Sequence, residues 1–252
     1  MGYRDICYQI YWKLESKIAP TLKYSQAIYE SVLNEYIHEN CKWLDLGCGH
    51  NLLPPWRYEQ ERQLVGRTNY LVGLDYDFNS LKKHKTIQKR IRDDINHLPF
   101  DDGFFDIVTS NMVFEHLKEP LIQIKEIHRV LKPGGVLLFH TPNSFSYSTI
   151  LAKLIPESIK GQLVWLLQDR KEEDVFPAYY RINTSKDIKR FAKIAGFEID
   201  KIKMITSTAQ LVMIPPLVFF ELIFIRILMT DRMKAFRANI ISKLVRPVTA
   251  HM

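Results

Sequence analysis

Short apolar runs and helically spaced apolar residues alternate along most of the chain. Between residues 42 and 143 the apolar runs are typical of strands or strand ends, and they are WLDLG (43–47), YLVGLD (70–75), INHLPF (95–100), FDIVTSN (105–111) and GVLLFHTPN (135–143). Continuous apolar strands that alternate with helices favour a parallel sheet covered on both faces. The pattern therefore predicts an α/β domain.

The two flanks of this region have a different pattern. Residues 1–40 have helical spacing and predict two or three helices that cap the main domain. After Asn143 we expect a mostly apolar helical insertion and an aromatic-rich stretch, and then a helix at Ser185–Ala195 and a strand at Phe197–Ser207. The predicted division is a cap (1–40), a main domain (41–207) with a lid-like insertion (144–184), and an apolar and basic helical appendage (208–252).

Residues 210–229 form the most apolar segment. Pro215 and Pro216 interrupt it, and Glu221 and Arg226 lie within its remainder, so it is too short and too interrupted for a transmembrane helix. A helix that is apolar on nearly all sides has to be buried. Three alternatives stay open, namely the protein's own core or pocket wall, a peripheral membrane contact, and a dimer contact.

Composition narrows the class of protein. The chain has 252 residues, of which 46% are hydrophobic and 25% are charged, and this is typical of a globular domain. Its three cysteines have neither disulfide nor metal-ligand spacing, so we predict no metal site. The first residues lack a secretory signal, which favours a cytoplasmic protein. If residues 210–229 make a peripheral membrane contact, we expect the protein at the inner face of the membrane.

The formal charge of +7 would be compatible with nucleic-acid binding. The densest basic run, residues 82–92, has no interleaved aromatic residues and is typical of the solvated face of a helix. We therefore expect no nucleic-acid partner.

The strongest chemical signal is the sequence WLDLGCGHN, in which an apolar strand leads into Asp45 and then a Gly-x-Gly turn at Gly47 and Gly49. Glycine lets the backbone turn tightly and approach a ligand closely. A dinucleotide fingerprint does not fit, because its third glycine position holds Leu52 and because the acid would repel phosphate. A nucleoside ligand with cationic groups is the better match.

A second acid ends the next apolar strand. Asp75 follows YLVGL, and one carboxylate there can accept hydrogen bonds from both hydroxyls of a ribose. Asp77 is the alternative ribose ligand.

These segments, followed by Asp94-Ile95 with Leu98-Pro99-Phe100, by FDIVTSN and by a helix that runs into Pro133-Gly134-Gly135, resemble the motif series of class I S-adenosylmethionine (SAM)-dependent methyltransferases. The resemblance covers about residues 45–143. It implies a Rossmann-like, mostly parallel seven-stranded sheet with helices on both faces, here with an N-terminal helical cap, a helical insertion and apolar C-terminal helices. It also implies SAM as cofactor and S-adenosylhomocysteine as product.

The resemblance assigns roles along the chain. It places the methionine end of SAM at the glycine turn, at Asp45, Gly47, Cys48 and Gly49. It places the ribose after the second strand, at Asp75 and Tyr76, and the adenine after the third strand, at Asp94 and Ile95. By the same resemblance the sulfonium lies beside the fourth strand, at Asn111 and Met112. The family usually has a third small residue where this chain has Asn51. That departure, with Pro54 and Pro55 after it, predicts an altered or delayed first helix.

Methyl transfer to oxygen or nitrogen benefits from a base that takes the acceptor's proton. His116, beside Glu115, is our first candidate, and the alternative is that this pair only fixes the loop and the helix start. His140 is the second candidate, and it is equally typical of a packed histidine at a strand end.

Tyr179, Tyr180 and Arg181 are the candidate substrate residues. Aromatic faces suit sugar, polyprenyl or aromatic groups, and arginine suits a carboxylate or phosphate. The alternative is that they close the insertion over the core.

The chain is similar to bacterial methyltransferases of polysaccharide or lipid-linked biosynthesis and, more distantly, to quinone methyltransferases. We therefore expect methyl transfer to an oxygen of a small molecule or of a glycan or lipid-linked precursor. Nitrogen and carbon are the less favoured alternatives for the acceptor atom. The alternatives are a catalytically silent SAM-binding scaffold and a peripheral membrane module. The oligomeric state stays open, with a dimer as one alternative.

Overall fold

The computed structural model describes residues 2–154 and 176–248. Its α-helices are α1 (Tyr3–Ile18), α2 (Ser25–Tyr36), α3 (Tyr58–Val65), α4 (Phe78–Lys83), α5 (Pro120–Val130), α6 (Tyr147–Leu154), α7 (Ser185–Ala195) and α8 (Pro215–Leu228). Its strands are β1 (Lys42–Leu46), β2 (Tyr70–Asp75), β3 (Lys89–Arg92), β4 (Phe105–Asn111), β5 (Leu131–Pro142), β6 (Glu198–Ile205) and β7 (Asn239–Val245). Short 3₁₀ helices lie at Pro55–Arg57, Phe114–His116 and Asp231–Phe236.

The seven strands form one sheet in the order β3-β2-β1-β4-β5-β7-β6. Strand β1 pairs in parallel with both β2 and β4, and the pairs β2 with β3 and β4 with β5 are also parallel. The strand order reverses between β1 and β4. In open sheets of this kind a ligand binds outside the carboxyl ends of the strands at that reversal.

Strand β7 runs antiparallel to β5. The amide of Gly134 donates to the carbonyl of Arg246 (2.7 Å), and the amide of Arg246 donates back to the carbonyl of Gly135 (2.9 Å). The predicted Rossmann-like sheet of seven strands is therefore confirmed, and it is a mixed sheet.

The third strand was expected in the wrong place. INHLPF forms no strand, and β3 lies instead at Lys89–Arg92, inside the basic run that we expected on a helix. Among the described residues, strand β3 is at the edge of the sheet and pairs only with β2, so its side chains are largely exposed and no apolar run marks it. Only Lys82 and Lys83 of that run lie on a helix, where they end α4.

The C-terminal part also differs from the expected set of helices. Pro215 and Pro216 occupy the first turn of α8 and begin it, because proline fits a position where the backbone N–H has no partner within the helix. Residues 239–245, which lie in the predicted appendage, form strand β7 of the sheet.

The chain divides into two compact units. The first takes in Met1–Ser25, Pro142–Pro177 and Met204–Asn239, so its described part holds α1, α6 and α8. Its core includes Tyr11, Leu22, Val218, Leu222 and Ile225. In their described parts, the predicted cap, insertion and appendage all contribute to this unit. Residues 155–175 of the predicted insertion lie outside the described residues.

The second unit takes in Gln26–Thr141, Ala178–Lys203 and Ile240–Met252, and it holds most of the sheet. Trp43, Phe105, Phe114 and Phe139 are completely buried there. The rings of Phe114 and Phe139 stack with their centroids 3.9 Å apart, so the turn after β4 is packed onto β5. Within the described ranges, no helix is long and apolar enough to cross a membrane.

We expect Phe139→Ala to lower the free energy of unfolding by about 3–5 kcal/mol, because it leaves a cavity opposite Phe114. Urea denaturation followed by circular dichroism measures the loss. Ile194→Ala is the matched control, since Ile194 is exposed on α7, and its effect should stay within about 0.5 kcal/mol. Equal losses in the two variants would contradict this account of the core.

Candidate functional site

The turn after β1 combines a tight glycine with an open one. Gly47 (φ +67°) and Gly49 (φ +53°) both have left-handed backbone conformations. A Cβ on Gly47 would come within 2.2 Å of the Val113 side chain, whereas a Cβ on Gly49 would meet nothing within 4 Å. The turn thus leaves open space directly above Gly49, which fits the close approach of a ligand to the backbone.

Cys48, which is predicted to contact the cofactor, lies between these glycines. Its thiol is buried against β2, where a Cβ on Gly73 would come within 2.7 Å of Cys48 Sγ. Only the backbone of Cys48 is therefore suitably placed for a ligand at this turn.

Asp45 is a buried acid at the end of β1. The Thr109 hydroxyl donates to Asp45 Oδ1, and Trp43 Nε1 donates in turn to Thr109 Oγ1 (2.6 Å). Burial, together with the nearby carboxylates of Glu61 and Asp75, raises the pKa of Asp45 to about 8 in spite of the lowering effect of the Thr109 hydrogen bond. A cationic ligand group would stabilise this acid in its charged form, which fits the sulfonium and ammonium of SAM.

Asp75 connects the glycine turn to the end of β2. Its carboxylate accepts from the amides of Gly49 and Asp77, each at 2.8 Å, and burial raises its pKa. Each carboxylate oxygen has a further lone pair for a ligand hydroxyl. The alternative, Asp77, caps α4 by accepting from the Asn79 and Ser80 amides and from the Ser80 hydroxyl. Because the Asp77 carboxylate is occupied by these three hydrogen bonds, Asp75 is the better candidate for the ribose ligand.

The candidate adenine residues, Asp94 and Ile95, follow β3. Tyr76, which is predicted together with Asp75 for the ribose, directly follows β2 and is 69% exposed. The carboxylate of Asp94 is exposed and accepts from the backbone and side-chain nitrogens of Asn96, each at 3.0 Å. The side chain of Ile95 is buried, so Ile95 offers a ligand its backbone only.

His140 fits the packing alternative better than the role of a base. It is completely buried, its Nδ1 lies 3.0 Å from Asn111 Oδ1, and its ring stacks on Tyr29. Burial lowers the pKa of His140 to about 3, so the ring is neutral at physiological pH. The other end of the Asn111 side chain donates to Gln26 Oε1 (2.8 Å), so His140 and Gln26 together fix this amide.

The turn after β4 is strained. Met112 has a left-handed backbone (φ +56°), which its amide maintains by donating to the carbonyl of His140 (2.8 Å). Non-glycine residues rarely adopt this conformation, and such strain is concentrated at functional sites.

Glu115 and His116 follow in the 3₁₀ turn. The Glu115 carboxylate is buried and accepts from the Thr141 hydroxyl (3.2 Å), which in turn accepts from Asn183 Nδ2 (2.6 Å). His116 Nε2 lies 3.9 Å from Glu115 Oε1 and is partly exposed. The imidazole of His116 is thus accessible to an acceptor, with the buried Glu115 carboxylate beside it.

The structure brings the candidate substrate residues to this turn. The amides of Tyr179 and Tyr180 both donate to the carbonyl of Glu115, at 2.7 and 3.0 Å. Burial and the Glu115 carboxylate raise the pKa of Tyr180. Arg181 donates to the carbonyl of Lys118 and lies over the Tyr179 ring. Two regions more than 60 residues apart in sequence therefore meet here.

Several polar residues of the site carried no sequence signal. Thr109, Thr141 and Asn183 are ordinary polar residues whose partners are distant in sequence. Glu61 on α3 is another, and its carboxylate accepts from the Leu53 amide (2.9 Å) and from the Thr86 hydroxyl. The expected delay of the first helix is confirmed, because α3 begins only at Tyr58, and Glu61 is what holds the intervening loop.

Residues 44–139 match the family model described as a methyltransferase domain. A demethylmenaquinone methyltransferase of Staphylococcus epidermidis is 34% identical over 108 residues, which cover 40% of this chain and 43% of that relative. The matched segment thus spans less than half of the relative.

Solved structures share the fold over nearly the whole chain. A SAM-dependent methyltransferase of Archaeoglobus fulgidus has a TM-score of 0.55 at 16% identity, covering 93% of this chain and 99% of that one. The protein named as the [4+2]-cyclase SpnF also has a TM-score of 0.55, at 17% identity, covering 96% and 94%.

We expect Asp45→Asn to remove a pH dependence of stability in the ligand-free protein. Because the pKa of Asp45 is raised from 3.8 to about 8, the folded protein keeps a proton that the unfolded chain releases between those values, and stability falls as pH rises through this window. Between pH 5 and pH 8 the wild type should lose roughly 2–4 kcal/mol more than the variant. Calorimetric unfolding at both pH values measures this difference.

Asp94→Asn is the control, because Asp94 is exposed and this variant should follow the wild type. Parallel pH profiles of the wild type and Asp45→Asn would contradict the account of the buried acid.

Proposed function

We propose, on the premise that residues 44–139 of this chain are a class I SAM-dependent methyltransferase domain, that the chain transfers the methyl group of SAM to a hydroxyl oxygen of an anionic acceptor. The predicted family and cofactor are confirmed for this domain. The observation that carries the proposal is the acid-lined glycine turn beside the Glu115-His116 pair at the carboxyl ends of β1, β2 and β4.

Different residues of the second unit would bind different parts of SAM. The backbone of Gly47–Gly49 and the buried Asp45 would hold its methionine end, Asp75 its ribose, and Asp94 with the Ile95 backbone its adenine. When bound, SAM supplies an electrophilic methyl group on a sulfonium. The remaining tasks of the chain are to place an acceptor in line with that methyl group and to take the acceptor's proton.

His116 is the proposed base. With SAM bound, the His116 imidazole would accept the hydroxyl proton as the acceptor oxygen takes the methyl group and S-adenosylhomocysteine is released. Glu115, 3.9 Å away, then stabilises the imidazolium. The products would be the methyl ether and S-adenosylhomocysteine, with the proton on His116. The buried, neutral His140 has no part in this proton transfer and positions Asn111 instead.

An anionic acceptor is favoured by a groove whose lining includes Lys118 and Glu119, which follow His116 closely in sequence, and Arg181. The groove has a volume of about 480 Å³ and is lined by Lys118, Glu119, Pro120, Leu121, Ile122, Arg181, Arg190 and Phe191. Arg190 already lies 3.6 Å from Asp187, so Lys118 and Arg181 are the cations that suit a phosphate or carboxylate. Phe191 with the aliphatic residues suits an apolar portion of the same molecule.

A second candidate function is SAM binding without methyl transfer. The observation that favours it is the shared fold with a protein named as a cyclase, since one fold hosts unrelated chemistries. Formation of S-adenosylhomocysteine with any acceptor would argue against this candidate.

We expect calorimetric titration with SAM to show that Asp75→Ala weakens binding about 10- to 100-fold, because charge-assisted hydrogen bonds are lost. Asp77→Ala is the matched control, and it should weaken the cap of α4 while keeping SAM affinity. The same affinity loss in both variants would remove Asp75 from the ribose site, and a wild type that binds neither SAM nor S-adenosylhomocysteine would overturn the proposed function.

We expect His116→Ala and Arg181→Gln to differ in kinetics. In a screen of phosphorylated, carboxylated and neutral hydroxyl acceptors, detected by S-adenosylhomocysteine release, only anionic members should react. His116→Ala should lower kcat about a hundredfold or more at unchanged SAM affinity. Arg181→Gln should mainly raise the acceptor KM, by about tenfold. Turnover confined to neutral acceptors would contradict the anionic class.

A further inference from the structure

The solvent side of α8, in the first unit, is apolar along its whole length. One side of the helix is buried and contributes Val218, Leu222 and Ile225 to the core of that unit. The other side exposes Leu217, Phe219, Phe220, Ile223, Phe224 and Ile227, with Phe220 at 66%. At 3.6 residues per turn these six form one continuous arc, which we call the apolar face. A surface helix is ordinarily polar on this side.

Glu221 fixes the rotation of α8 that produces this exposure. It is the helix's one acid, it is buried, and it accepts from the amides of Gln210 and Leu211 (2.8 Å each) and from the Tyr147 hydroxyl (2.6 Å). Turning the apolar face inward would break all three hydrogen bonds and expose Val218 and Leu222. The apolar face is thus a defined feature of the unit.

The charges of the first unit indicate what covers this face. Its described residues carry nine lysine or arginine side chains against four aspartate or glutamate side chains. One of the four acids is the buried Glu221, and another, Asp231, lies 3.6 Å from Arg237. Arg226, Arg232 and Lys234 are exposed within and directly after α8. Such basic residues beside an apolar face are attracted by anionic lipid headgroups.

We propose that the apolar face of α8 binds the surface of an anionic lipid bilayer, with the helix lying in the plane of the interface. Phe220, Ile223 and Ile227 would enter the boundary between headgroups and acyl chains, while Arg226 and the basic residues after the helix contact lipid phosphates. A two-fold contact with a second copy is less favourable, because it would bring the same basic residues of both copies together. This proposal does not depend on methyl transfer.

Co-sedimentation of the full chain with vesicles tests the proposal. We expect binding to phosphatidylcholine vesicles that contain phosphatidylglycerol, weaker binding to phosphatidylcholine alone, and weakening by salt. Phe220→Glu should reduce the partition coefficient about tenfold or more. Ile194→Glu is the matched control, since it places the same charge on an exposed residue of α7, and it should bind as the wild type does.

SAM affinity and unfolding temperature, measured on each variant, establish that the variants are folded. Equal partition of the wild type and Phe220→Glu, equal binding to both vesicle types, or no binding to either would overturn the proposal. A dimer in sedimentation velocity that Phe220→Glu dissociates, without vesicle binding by the wild type, would assign the face to a second copy.

Discussion

The parallel pairing of β1 with two neighbours is the constraint on which the site depends. Asp45 is in register with Gly73 of β2 on one side and with Thr109 of β4 on the other. This register brings three strand ends to one edge, and it puts the Thr109 hydroxyl on the Asp45 carboxylate. It also places Asp75 where it accepts from the Gly49 amide. A slip of one residue in either pairing would move each of these side chains to the opposite face of the sheet.

The acids at this edge of the sheet lower the stability of the ligand-free protein. Asp45, Asp75 and Glu61 are each buried or half-buried. Burial, and to a smaller extent the other two carboxylates, raises the pKa of Asp45 to about 8. Burying charge without a compensating partner is unfavourable. Glu61 has such partners in the Leu53 amide and the Thr86 hydroxyl, whereas a cationic ligand group would stabilise the charged forms of Asp45 and Asp75, whose pKa values burial raises. Strain at Met112 and Tyr180, both with left-handed backbones, is concentrated at the same end of the sheet.

The second and first units present surfaces of different chemistry. The second unit carries polar networks that link distant segments through Thr141 and Asn183, and these networks fix the side chains around Glu115. In the first unit one buried acid, Glu221, fixes the orientation of a helix that leaves an apolar surface exposed. By accepting three hydrogen bonds it satisfies the backbone before α8 and orients the helix so that one apolar side packs in the core and the apolar face stays exposed.

The sequence by itself determined the local features of the protein. The glycine turn, the acids that end β1 and β2, the delayed first helix and the helix Ser185–Ala195 all follow from backbone preferences or short-range periodicity, and such signals are complete within a few residues. Only the tertiary structure decided which residues meet across long separations. It placed Lys89–Arg92 at a sheet edge, inserted residues 239–245 into the sheet, buried His140 beside Tyr29, and turned the apolar side of α8 outward. Each of these outcomes depends on partners distant in sequence, and no local pattern specifies such partners.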